Sequence, residues 1–172
     1  GCTFDNCDTG SPNTFIVKLQ SIYDVLFTQN IFNSTKVNIR TPALYIQFYG
    51  RNLNISYNQF INCDSLQGSY PAIKFDGSKP PPNYVPDTPI FIFNYNYMKN
   101  VGSKEFGLFI FDLNNKDSRL TNVEFCHNEI HECINLNDNG FLCGIENAPN
   151  EFEFYNLTVR NCQIHSTYGG SL

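Results

Sequence analysis

Tryptophan is missing from this 172-residue chain, and charged residues make up only 16% of it. The strongest kind of aromatic platform for a sugar is therefore ruled out. Hydrophobic residues still reach 41%, a composition that excludes intrinsic disorder and suits one domain with a sizeable core. Basic residues are outnumbered, and the net charge of −5 removes any electrostatic reason to expect nucleic acid or an anionic membrane as partner. No apolar run approaches the roughly 20 residues that span a bilayer, so membrane insertion by this segment is not expected. The opening "GCTFDNCDTG" holds neither a basic segment nor an apolar stretch, so no signal peptide is read there. A mature secreted fragment would look the same. Nowhere do apolar residues recur at i, i+3 and i+4 over about 11 positions, which excludes long amphipathic helices.

In their place stand 24 asparagines, 16 phenylalanines and 10 tyrosines. Asparagine tolerates left-handed backbone and aromatics suit a pleated surface, so the mixture predicts many short strands separated by turns. One pattern recurs: alternating apolar residues, an asparagine, a polar residue, an apolar residue, then a small or polar ending. It reads "VLFTQNIFNST" at 25–35, "LNISYNQFINC" at 53–63, "FIFNYNYMKNV" at 91–101, "VEFCHNEIHEC" at 123–133 and "LTVRNCQIHST" at 157–167. The opening "GCTFDNC" matches its second half. The central apolar residues are Phe4, Phe32, Phe60, Met98, Ile130 and Ile164. Between copies lies a second strand type: "TFIVKL" at 14–19, "ALYIQFYG" at 43–50, "AIKFDG" at 72–77, "GLFIFDL" at 107–113 and "FLCGIEN" at 141–147.

Three short strands per unit, two of them joined at the asparagine, predict an all-β fold. It is a right-handed parallel β-helix, a solenoid of about five coils forming one domain over 1–172, each coil stacked about 4.8 Å from the last. Leu53, Ile55 and Phe60 are expected inside, Asn54 and Gln59 outside. Asn30, Asn58, Asn96 and Asn128 fall at one position of four successive units, as a structural asparagine ladder in which each amide donates to one neighbour and accepts from the other. The proline-rich "GSKPPPNYVPDTP" at 77–89 is read as a projecting loop.

With these residues aligned, the units resemble the right-handed parallel β-helix superfamily, whose pectate-lyase-like members carry an asparagine ladder at this bend. The strings "CTFDNC" and "NQFINC" are also similar to repeats of polymorphic outer-membrane-type surface proteins and related protist surface proteins. That family's repeat puts two residues between Phe and Asn, whereas Phe4 and Asn6, like Phe60 and Asn62, have one between them. Its Gly-Gly-Ala-type string is absent, the nearest being "PAIKF". The resemblance implies a surface protein engaged in adhesion.

"FCHNEIHEC" at 125–133 looks like a metal site. The register makes it ordinary, with Phe125 and Ile130 inside, Asn128 in the ladder, and Glu129 and His131 facing solvent. A zincin site needs Glu directly after the first His on a helix; here Glu129 is two residues after His127, across a bend. No metal site and no cofactor are expected. Seven cysteines leave at least one unpaired within the chain. Cys7, Cys63 and Cys133 share a column in alternate coils, about 9.6 Å apart and beyond disulfide reach. Cys2 and Cys162 align approximately at opposite ends. Cys133 and Cys143, bracketing a loop, are the one pair considered for a bridge.

Sequons at Asn33, Asn54 and Asn156 are candidate glycosylation sites, though about three are expected by chance in so asparagine-rich a chain. For catalysis, Asp5, Asp24, Asp64, Asp76, Asp112 and Glu124 share no face in adjacent coils by this register, where a glycosidase needs two carboxyls roughly 5–10 Å apart. Asp76 and Asp112, each ending a strand of the second type, come nearest to a pair. Asp-Asp, Gly-His-Gly and Arg-Ile-Lys strings of polygalacturonase-like enzymes do not occur, nor does a nucleophile elbow or a phosphate or calcium loop. Tyr45, Tyr57 and Tyr95 are expected to face outward, where they pack across strands or offer a stacking surface.

The chain begins and stops inside the repeat with no evident end cap, so a segment of a longer solenoid, or head-to-tail stacking between molecules, is expected. These readings predict a non-enzymatic structural or adhesive β-helix, extracellular or at the cell surface, with self-association through coil ends and glycans as partners. The alternative is a carbohydrate-binding or polysaccharide-degrading β-helix.

Overall fold

Most of the described strands are short because the chain bends at recurring positions. Among the described residues, ten that are not glycine hold a left-handed backbone, with φ between 51° and 60°: Asn6, Gln29, Ser34, Tyr57, Asn62, Tyr95, Asn100, His127, Glu132 and Asn161. Each directly follows a strand, and the next strand begins two residues further on. A computed structural model describes residues 1–9, 16–34, 36–37, 44–65, 73–77, 90–103, 109–112, 122–135, 143–146, 152–155 and 158–164. Among them there are strands and no helix, and therefore no helix long and apolar enough to cross a membrane.

The strands form three sheets, and all pairings are parallel. The first sheet stacks Thr3–Asp5, Ile31–Asn33, Gln59–Ile61, Tyr97–Lys99, Glu129–His131 and Thr158–Arg160 in that order. The second stacks the two-residue strands Asp8–Thr9, Lys36–Val37, Asp64–Ser65, Gly102–Ser103, Ile134–Asn135 and Gln163–Ile164. In the third, the long strands Val17–Thr28 and Leu44–Ser56 pair with each other, with register shifts between Leu19, Ile22 and Asp24. One half of Leu44–Ser56 continues into Ile73–Gly77, Phe109–Asp112 and Cys143–Glu146, the other into Ile90–Asn94, Asn122–Cys126 and Phe152–Tyr155. Parallel neighbours cannot be joined by tight hairpins, and the chain visits the first, second and third sheets in rotation before returning to the first. This arrangement is compatible with a parallel β-helix. The three-strand unit needs correction, since a further two-residue strand follows each second bend and was too short to show a period.

Alternation puts one side of each strand indoors. Leu53, Ile55 and Phe60 are buried, Gln59 is exposed and Asn54 is half-buried. Like sits on like along the stack: Phe4, Phe32, Phe60, Met98 and Ile130 occupy one position of successive strands. Ring centroids lie 4.7 Å apart for Phe4 and Phe32, 5.0 Å for Phe32 and Phe60, and 5.1 Å for Phe93 and Phe125. Each fully buried phenylalanine stabilises by about 1.5–3 kcal/mol through lost water contact. Leu44, Ile46 and Ile73 close the core from the other half of the third sheet.

The last unit departs from the sequence alignment. Val159, not Ile164, pairs with Ile130, while Ile164 lies in the second sheet opposite Asn135. The string "NCQIH" imitates "HNEIH", but Phe152 and Phe154 pair with Val123 and Phe125 and set the register. Asn161 thus belongs to the second bend, and the residue before Thr158 is a leucine in sequence.

Candidate functional site

Two bends flank each of the strands Ile31–Asn33, Gln59–Ile61, Tyr97–Lys99 and Glu129–His131 of the first sheet, and the side chains they carry form rows along the stack. At the first bend, Gln29, Tyr57, Tyr95 and His127 are left-handed, and the residue after each is Asn30, Asn58, Asn96 or Asn128. All four asparagines are buried. Asn58 Oδ1 accepts the backbone N–H of Asn30 at 3.0 Å and its Nδ2 at 3.0 Å. Asn58 in turn donates its N–H and Nδ2 to Asn96 Oδ1, at 3.0 and 3.1 Å. Asn96 repeats this on Asn128, at 2.9 and 3.2 Å. The other amide hydrogens of Asn58, Asn96 and Asn128 reach the carbonyls of Phe27, Ile55 and Phe93. Asn58 and Asn96 thereby use both donors and both lone pairs of their side chains, the full capacity of an amide. At the head of the row, Asn30 Oδ1 accepts the N–H of Cys2 at 2.9 Å.

Outside the same bend, Tyr57, Tyr95 and His127 form a stack of parallel rings. Centroid distances are 4.9 and 4.6 Å, interplanar angles 1° in both pairs, and the two tyrosines are about half exposed. A sugar ring stacks on an aromatic face, yet these faces cover one another and leave mainly edges and hydroxyls to solvent. Tyr45 is half-buried, with the Lys18 ammonium 5.9 Å from its ring centre.

The outer face of the first sheet is polar and internally paired. His131 Nε2 lies 3.0 Å from Glu129 Oε2, the Tyr97 ring is 5.4 Å from the His131 ring, and Lys99 Nζ is 3.7 Å from Glu132 Oε2. Within "FCHNEIHEC", Phe125, Asn128 and Ile130 are buried and Glu129 is exposed, while His127 stacks on Tyr95 and Cys126 and Cys133 are buried. Among the described residues no group of three His, Cys, Asp or Glu could hold a metal ion.

Carboxylates do align in adjacent units, contrary to the sequence register. Asp76, Asp112 and Glu146 occupy one position of successive strands, and Glu124 pairs with Glu153. Asp76 and Asp112, nearest to a pair in sequence, are thus paired, whereas Glu146 and the Glu124–Glu153 pair were not visible there. Asn94 Nδ2 donates to Glu124 Oε2 at 3.1 Å.

The cysteine column is also corrected. Strand pairing places Cys133 opposite Cys162, one residue before the paired Ile134 and Gln163, and both are free thiols. Strand pairing thus sets Cys162, and not Cys143, beside Cys133, and Cys162 does not share a column with Cys2. Burial, with the neighbouring Cys162 thiol adding to it, pushes the Cys133 thiol up to about 12. Of the sequons, Asn33 is half-buried and donates to Asp5 Oδ1 at 2.8 Å, and Asn54 accepts from Ser56 Oγ at 2.6 Å. Asn156 lies outside the described residues, as does most of the 77–89 loop. Comparison with protein-family models, with curated proteins and with solved structures returns no match.

Proposed function

We propose that this chain is a non-enzymatic structural or adhesive protein of the extracellular space or cell surface, a right-handed parallel β-helix of about five coils that stacks end to end. Right-handedness follows from the general rule for crossovers between parallel strands. One observation carries the reading. The outward row through the first sheet runs Asp5, Asn33, Ile61, Lys99, His131, Arg160, with an acid at one end and a base at the other. Asp5 and Arg160 are exposed, and each lies on an end strand with one neighbour among the described residues. In-register stacking of two copies sets Arg160 of one beside Asp5 of the next and continues the sheets. Such a contact does not close on itself and builds a filament. The ion pair alone contributes about 0–1 kcal/mol; its role is to select register, while edge pairing and burial of Phe4 supply affinity.

Sedimentation and electron microscopy of the 172-residue chain across concentration test this. Asp5→Arg and Arg160→Asp should each weaken assembly, and the double exchange should restore it. Monomers at every concentration would overturn the reading.

A carbohydrate-binding or polysaccharide-degrading role is the second reading, favoured by the aligned Asp76, Asp112 and Glu146. Glycan-array binding, or release of reducing sugar that is lost in Asp112→Asn, would establish it instead. Glycans attached at Asn33, Asn54 or Asn156 would support the surface location.

A further inference from the structure

Cys133 and Cys162 meet where the asparagine row runs out. Among the described residues that row ends at Asn128, and the position before Thr158 holds leucine in sequence. Five residues beyond Asn128 lies Cys133, directly across from Cys162 in the parallel pairing of Ile134–Asn135 with Gln163–Ile164. In-register parallel neighbours are about 4.8 Å apart, inside the roughly 4.4–6.8 Å between Cα atoms that a disulfide accepts. The neighbouring Cys162 thiol adds to the effect of burial in raising the pKa of Cys133. Cys162 Sγ donates to the carbonyls of Ile130 at 3.6 Å and Arg160 at 3.4 Å, and Cys133 Sγ to that of His131 at 3.2 Å. In the same column Val101 lies between Cys63 and Cys133.

We propose that Cys133 and Cys162 form an intrachain disulfide that locks the strands Thr158–Arg160 and Gln163–Ile164 onto the unit before them. The pair would do covalently what the buried amides do between earlier units. Cys162 is half-exposed and Cys133 buried, which sets the order of events. The Cys162 thiolate attacks a small-molecule disulfide, forming a mixed disulfide and expelling one thiolate. Cys133 then gives up its proton, attacks Cys162 Sγ, forms the S–S bond and expels the second thiolate. The two cysteines lose two electrons, the small disulfide gains them, and the two thiol protons end on the two released small thiols.

The test is oxidation of the whole chain with oxidised glutathione, followed by alkylation under denaturing conditions, intact mass and peptide mapping. The expected product has lost the mass of two hydrogens, keeps two fewer alkylatable thiols than the seven in the sequence, and links the peptides of Cys133 and Cys162. It should melt higher than the reduced protein. Cys133→Val, which copies Val101 in the same column, should stop at a mixed disulfide on Cys162, whereas Cys63→Val should still close the bridge. A Cys133–Cys143 link, a Cys7–Cys162 link between copies, or an unchanged thiol count would each overturn the proposal.

Discussion

At the first bend the left-handed position is held by Gln29, Tyr57, Tyr95 and His127, and at the second by Asn6, Ser34, Asn62, Asn100, Glu132 and Asn161. The backbone is the same and the chemistry is inverted. Left-handed backbone costs most residues about 1–2 kcal/mol, and asparagine is among the few that visit it routinely. The second bend lowers that cost locally by placing asparagine on the strained residue in four of six cases. The first bend instead puts large side chains there and moves the asparagine one residue on, into the core. Both bends send the strained N–H to the next unit, as from Tyr57 to the Asn94 carbonyl at 3.1 Å and from Asn62 to that of Lys99 at 2.9 Å. Strain is thus tolerated for different reasons: intrinsic preference at one bend, a saturated buried amide and a ring stack at the other.

Removing one amide from each bend separates the two most sharply. Asn96→Ala strips the acceptor from the N–H and Nδ2 of Asn58 and the donor from the Ile55 carbonyl. At about 1–3 kcal/mol for each buried group left unsatisfied, the loss should be about 3 kcal/mol or more in urea unfolding. Asn100 makes a comparable 2.8 Å bond to Asn62 Oδ1, but in solvent. Asn100→Ala should cost about 1 kcal/mol, chiefly from alanine in a left-handed position. Equal losses at the two sites would mean that burial does not distinguish the bends.

Tyr95 isolates the strain itself. Its ring contacts Tyr57 and His127, each such pair contributing about 0.5–1.5 kcal/mol. Tyr95→Ala loses both contacts and keeps a Cβ at φ 57°. Tyr95→Gly loses the same contacts but relieves the backbone. The glycine variant should therefore be the more stable of the two by about 1 kcal/mol in thermal melts. If alanine and glycine melt together, Tyr95 is not strained and the contrast drawn above is wrong.

Part of this was legible from residue order. Phe4, Phe32, Phe60, Met98 and Ile130 stand out because an apolar residue two positions after a fixed offset keeps recurring, and period-two alternation then sorts Leu53 and Ile55 from Asn54. What escaped detection has physical causes. Tyrosine has no left-handed preference and histidine only a mild one, too little to mark Tyr57, Tyr95 or His127 as left-handed. Strands of two residues, such as Gly102–Ser103, are shorter than any period. The final unit has no asparagine before Thr158 to hold the alignment, and a chance "NCQIH" drew it off by five residues. That one slip hid both the pairing of Val159 with Ile130 and the meeting of Cys133 with Cys162. Asp76 and Asp112 could be matched as ends of one strand type, but Glu146 joins their column only through strand pairing.

The second bend also carries an effect that shows itself only at alkaline pH. Where the first bend buries an amide that never ionises, the second buries the Cys133 thiol, held up at about 12 mainly by burial, against an ordinary 9.0. Below pH 9 the thiol is protonated in folded and unfolded chains alike, and its contribution to stability is fully present. Between about 9 and 12 the unfolded chain releases the proton while the folded one retains it, so stability falls as pH rises, by at most about 1.4 kcal/mol per pH unit from this group. Urea midpoints measured under reducing conditions from pH 7 to pH 11 should therefore drop more steeply in the native chain than in Cys133→Val. Parallel pH profiles would show that this thiol is as open to water as the asparagines of its own bend, and the division of the molecule into a sealed amide row and a titratable cysteine row would fail.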